Sequence, residues 1–271
     1  MNSKTLRPYI ECTLFVVAWV VCGWLFHLGP VSYNLYGIPF VVAFQLLICR
    51  RRITQLWVRD APGFRLDRIG ILLVVVFVGL NTSLFWQYLL PWHLLGALFL
   101  SLLITGSVGA AYALRQQRAD QFKQALPSFA VAVLIGFSLF VYLAMTSSRS
   151  PALNAPKLLL LLENLVKLFP YVFIMDEVVF RGMLDTHVVP GTGTRREQWF
   201  SAVFISVLWA LWHMPRAALS DAGELRTFAA PLVLVLPLGV ALSFCWRKGG
   251  TLLLPGLAHA LMDAYRDTVM H

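Results

Sequence analysis

Apolar runs of about 18 residues or more, almost free of charge, recur from one end of this chain to the other. About nine are distinguishable, at roughly 8–28, 33–49, 69–90, 92–114, 127–146, 157–187, 197–214, 228–246 and 250–267. Water cannot be the solvent for such a chain. Only 13% of its 271 residues are charged, about half the share that covers a soluble domain. In lipid every backbone polar group must be satisfied within the protein, which leaves helices as the spanning element for runs of this length. The expectation is an all-α, polytopic transmembrane helical bundle of eight or nine spans. The uncertain break is Pro91-Trp92, which separates two runs as a turn or kinks a re-entrant element.

Charge placement gives an orientation. The net charge of +9 sits in short clusters between runs and not along one face, which argues against a nucleic-acid partner and for topology signals. With the N-terminus inside and nine spans, fifteen Lys and Arg residues fall on inner connections and five on outer ones. The inner set includes Arg50, Arg51, Arg52, Arg59, Arg195, Arg247 and Lys248. The first run follows Lys4 and Arg7 and continues through Trp24 and Phe26 with no small-residue cleavage site, so it reads as an uncleaved helix. Trp57, Trp92, Trp199 and Trp246 lie near run ends, where interfacial aromatics are expected. Cys12, Cys22, Cys49 and Cys245 form no CxxC pair and read as reduced packing residues. Compactness suggests a prokaryotic inner membrane.

Ionisable groups inside a membrane are costly and mark function. Residues 1–150 carry few: Glu11, His27 and His93 lie near run ends and read as headgroup or loop contacts. Residues 151–271 differ. The sixth run contains Asp176-Glu177-Val178-Val179-Phe180-Arg181, which on an α-helix puts Glu177 and Arg181 on one face and turns Asp176 about 100° away. The seventh ends in Trp209-Ala210-Leu211-Trp212-His213. The ninth holds His259-Ala260-Leu261-Met262-Asp263, where the carboxylate could orient the imidazole. At about 1.5 Å per residue, Glu177 lies roughly 15 Å deep, His259 roughly 14 Å and Asp263 roughly 20 Å, while His213, at roughly 24 Å, fits a common layer worst. Taken singly, each motif also reads as a structural ion pair or a packed histidine.

In this order DExxxR, WxxxH and HxxxD resemble the CAAX protease and bacteriocin-processing family, whose pattern is EExxxR, aromatic-xxx-His and His-xxx-Asn/Asp on separate membrane helices. Arg181-Gly182 after the first motif, and Arg247-Lys248-Gly249-Gly250-Thr251-Leu252 leading through Pro255 to His259, match as well. The resemblance spans about 157–267. It implies an intramembrane endopeptidase of the glutamic type, needing neither metal nor cofactor, acting on a membrane-associated peptide or protein. By the same resemblance Asp176 and His213 activate a water, Glu177 and Arg181 support and orient, and His259 and Asp263 stabilise the oxyanion or position the water. The chain departs from the family in carrying Asp176 where Glu is usual, which makes Glu177 the rival base. Two other readings remain at this point: a zinc protease using the two histidines and a carboxylate, and a transporter or scaffold using buried ion pairs.

Overall fold

The structure is a computed structural model that describes residues 3–61, 63–89, 93–189, 193–213 and 222–270. Its described residues are mostly helical, with no strand beyond one isolated antiparallel bridge between Val58 and Thr251. Helices α1 (Ser3–Leu25), α2 (Pro30–Ala43), α3 (Arg68–Leu89), α4 (His93–Gln116) and α5 (Ala119–Thr146) precede the motif region. There α6 (Ala155–Val172) runs without interruption into a π-helical stretch (Phe173–Asp185) and a last short turn, α7 (Thr186–Val188). Helices α8 (Arg195–Trp212), α9 (Ala222–Gly249) and α10 (Leu253–Met270) complete the bundle. These rods coincide with the nine apolar runs. The Pro91-Trp92 break, the Pro190-Gly191 turn and Arg216 lie outside the described residues, but the flanking α3 and α4 pack side by side, as the arms of a helical hairpin do.

Local signals account for several boundaries. Asn154 caps α6 by accepting from the Lys157 N–H at 3.1 Å. Thr194 and Glu197 form a reciprocal capping box at the start of α8. Gly250, with φ of 68°, turns the chain between α9 and α10 in a conformation that suits glycine. That turn bonds the connection before α3: the Arg59 N–H donates to the Gly250 carbonyl at 2.9 Å and the Leu252 N–H to the Trp57 carbonyl at 3.0 Å.

Four helical stretches are long and apolar enough to cross a membrane, by length and composition: Leu6–Leu25, Gly96–Gln116, Ala119–Thr146 and Ala155–Val188. Ser32–Ile48 and Arg68–Ser83 are shorter apolar helices. Outward-facing side chains on these rods are apolar too, with Leu14 64%, Leu134 65% and Leu159 69% exposed. Leucines in such positions imply a lipid solvent around an integral membrane bundle.

At the centre stands the α6–π–α7 rod. Every residue from Phe173 to Thr186 is buried, against α2, α4, α8, α9, α10 and a short 3-10 turn (Ile53–Leu56). An ordinary α-helix was expected over this segment, and the wider i→i+5 winding is the finding. The change begins three residues after Pro170, whose nitrogen cannot donate to the Val166 carbonyl. Two tryptophans also differ from expectation. Trp57 and Trp246 are buried, and the Trp246 Nε1–H donates to the Thr186 hydroxyl at 3.0 Å, so both are core residues. Trp199 is 48% exposed, while Trp92 lies outside the described residues.

Candidate active site

The π-helical stretch presents Asp176, Glu177 and Arg181 to the interior, and all three are buried. Glu177 and Arg181 remain on one face despite the wider winding, with Arg181 Nη1 3.5 Å from Glu177 Oε1 and neither side chain exposed. The same Oε1 accepts from His259 Nδ1 at 2.8 Å, across from α10. One carboxylate oxygen therefore joins a guanidinium and an imidazole from two different rods. Its sister, Glu177 Oε2, is buried and makes no hydrogen bond within the described residues.

Trp209 of α8 links these groups to the remaining histidine. Its ring lies under the Arg181 guanidinium, 4.5 Å from Cζ to centroid, an arrangement favoured by the ring quadrupole. The His259 ring meets it edge-on at 5.2 Å between centroids, and the His213 ring meets it at 5.6 Å. Both histidines thus pack on one indole. His213 caps the C-terminus of α8, and its Nδ1 lies 2.8 Å from the Trp209 carbonyl oxygen. A carbonyl only accepts, so Nδ1 carries the proton and Nε2 is the basic nitrogen of the neutral ring. His213, which depth along the helices placed worst, reaches the group because the turn ending α8 folds its ring back onto the indole.

Asp263 is less tightly engaged than the i,i+4 spacing suggested. Its Oδ2 is 3.8 Å from His259 Nε2, beyond hydrogen-bond range, while its Oδ1 accepts from Arg266 Nη1 at 2.9 Å. The carboxylate that orients His259 is Glu177. Among the described residues no group of three or more His, Cys, Asp and Glu side chains is arranged to hold a metal ion.

Residues 158–265 match the family model of the Rce1-like type II CAAX prenyl endopeptidases. This match agrees with the CAAX protease resemblance carried by the three motifs. No curated protein and no solved structure matches the chain. The Rce1-like region contains all six residues of the three motifs, from Asp176 to Asp263.

Other buried or half-buried charges in and around the Rce1-like region carry no motif signal. Arg247, expected on an inner connection, is 5% exposed at the side chain and forms an ion pair with Asp185, donating also to the Ser201 hydroxyl at 3.0 Å. Glu11, expected to meet headgroups or a loop, bonds His187 at 2.8 Å and Arg7 at 2.7 Å. An ionisable residue within an apolar run was the signal that could have found Asp185. These pairs tie α9 and α1 to the far end of the motif rod.

Proposed function

We propose that this chain is an intramembrane endopeptidase that hydrolyses a peptide bond near the membrane surface with a water activated by carboxylate and histidine. The observation that carries the reading is the contact between Glu177, His259 and Arg181, completed by Trp209, which gathers both histidines of the second and third motifs. A purely structural ion pair needs no second histidine turned onto the same indole.

In this reading Asp176 and His213 Nε2 take the proton from the attacking water, as general bases do. Glu177 is already committed through Oε1 to Arg181 and His259, which fits a positioning role better than the role of base. His259, fixed by Glu177, stabilises the negative charge that develops on the scissile carbonyl oxygen. Asp263 lies beyond His259 and acts on its orientation. The chemistry calls on no metal and no cofactor. The substrate is a membrane-associated peptide or protein, the N-terminus faces the cytoplasm, and the setting is a prokaryotic inner membrane.

The test uses the purified full-length protein in detergent with a quenched fluorescent peptide ending in a farnesylated CAAX sequence, and terminal proteomics of the host carrying either allele. Asp176→Asn and His213→Ala should each lower cleavage at least a hundredfold with unchanged thermal unfolding. Retained cleavage by both variants defeats the proposal. Loss in Glu177→Gln but not in Asp176→Asn would exchange the roles of the two carboxylates.

A further inference from the structure

A cavity of about 1010 Å³ opens between α5, α8 and α9, at the top of the size range of small-molecule sites. None of the six motif residues lines it. Helix α9 separates the two regions: Gly239 and Trp246 face the motif rod through Arg181 and Thr186, whereas Val240 and Phe244 line the cavity. The walls are apolar, with Val131 and Ile135 from α5 and Val203 from α8, and Val131 and Val203 are 49% and 46% exposed. Four cations line the same cavity: Arg59, Arg195, Arg247 and Lys248. No described Asp or Glu accompanies them in the lining. Arg195 begins α8 while Arg247 and Lys248 end α9, so these cations gather at one end of the bundle.

We infer that this cavity is a binding site for an anionic membrane phospholipid, its phosphate held by Arg195, Lys248 and Arg59 and its acyl chain laid along Val131, Val203, Val240 and Phe244. Charge complementarity chooses the headgroup. Arg247 is already paired with Asp185, and the other three cations, with no described carboxylate in the lining, favour a net negative ligand over a zwitterionic one. The apolar walls choose a chain-bearing ligand over a free phosphate. The inference stands independently of the protease reading, since the cavity shares no residue with the motifs.

The experiment is native mass spectrometry of the full-length protein in detergent, titrated with phosphatidylglycerol and phosphatidylcholine. Phosphatidylglycerol should bind at least tenfold more tightly. Replacing the exposed Lys248 or Arg195 by Gln should weaken it by roughly fivefold each, the worth of one basic residue near an anionic surface. Val240→Trp, which fills the cavity from the apolar side, should remove both lipids while thermal unfolding reports that the fold is kept. Equal affinity for the two lipids, or binding unchanged in Lys248→Gln, overturns the headgroup assignment. Competition by inorganic phosphate as effective as the lipid overturns the acyl-chain assignment. Displacement of the lipid by the farnesylated peptide, one for one, makes the cavity a substrate subsite and overturns the lipid proposal.

Discussion

Replacing Glu177 by Gln keeps the shape of the side chain and an oxygen that can accept from His259, and deletes only the charge. What that charge contributes follows from its surroundings. The guanidinium of Arg181 lies 3.5 Å away with both side chains inaccessible to solvent. At an effective dielectric of about 20 their attraction is about 5 kcal/mol. Removing one partner of such a pair costs about 3–5 kcal/mol, because the other is left as a buried uncompensated charge. Arg181 has little else to turn to: Nη2 donates to the Gly239 carbonyl at a long 3.4 Å, and Nε makes no hydrogen bond within the described residues. Glu177→Gln should therefore lower the apparent unfolding midpoint in detergent by roughly 10 °C, at about 2–4 °C per kcal/mol. The scan rate must be held constant, since the midpoint of an irreversible unfolding depends on it. The decisive variant is the double one, Glu177→Gln with Arg181→Met. It removes both charges and should be clearly more stable than the sum of the single losses predicts, by about 3 kcal/mol of coupling. Strict additivity, or a midpoint in Glu177→Gln within 2 °C of the wild type (roughly 1 kcal/mol or less), would refute the view that the pair is energetically joined.

Gly182→Ala would put a Cβ 2.2 Å from the Leu56 carbonyl oxygen, so the rod must part from the 3-10 turn, and thermal unfolding should register at least about 1–3 kcal/mol of destabilisation. Arg247→Met strands the Asp185 carboxylate, 1% exposed, and should cost about 3–5 kcal/mol, with Asp185→Asn/Arg247→Met recovering part of it. The carboxyl of Asp67, on the connection before α3, is held below the usual range by the Arg115 side chain first and by the Gly70 N–H next. A lowered folded value means that its contribution is present above about pH 3.9 and is lost as pH falls through that lower value. The midpoint difference between wild type and Asp67→Asn should accordingly shrink on acidification, and a difference that grows toward low pH would contradict the assignment.

The bundle could be read from the sequence because lipid leaves a chain few options. The apolar runs became helical rods among the described residues, and Glu177 and Arg181 met at i,i+4 as their spacing required. Contacts between rods were not legible in the same way. Nothing in the spacing of Glu177 and His259, 82 positions apart, selects Glu177 over Asp263 as the partner of that imidazole. Asp263 had the better local claim but accepts from Arg266 instead, and the imidazole goes to Glu177. Trp57 and Trp246 near run ends looked interfacial because position along a run says nothing about depth within a bundle. Arg247 counted as a loop charge until α8 and the motif rod enclosed it. The winding of Phe173–Asp185 left no trace in the pattern at all, since i,i+4 pairs stay neighbours in either helix.

That winding bears on how the rod tolerates changes in length. A π-helical stretch carries more residues for the same number of turns than an α-helix does. Unless the stretch tightens toward the α form to absorb it, dropping a residue swings everything beyond the deletion round the axis. A loss between Glu177 and Arg181 would carry the guanidinium off the Trp209 ring and separate the two charges. A loss between Gly182 and Asp185 would spare that pair and instead rotate Thr186 away from the Trp246 indole. The first half of the stretch is therefore fixed in length by chemistry and the second by anchorage, and descendants of this chain that gain or shed residues here should do so only after Arg181.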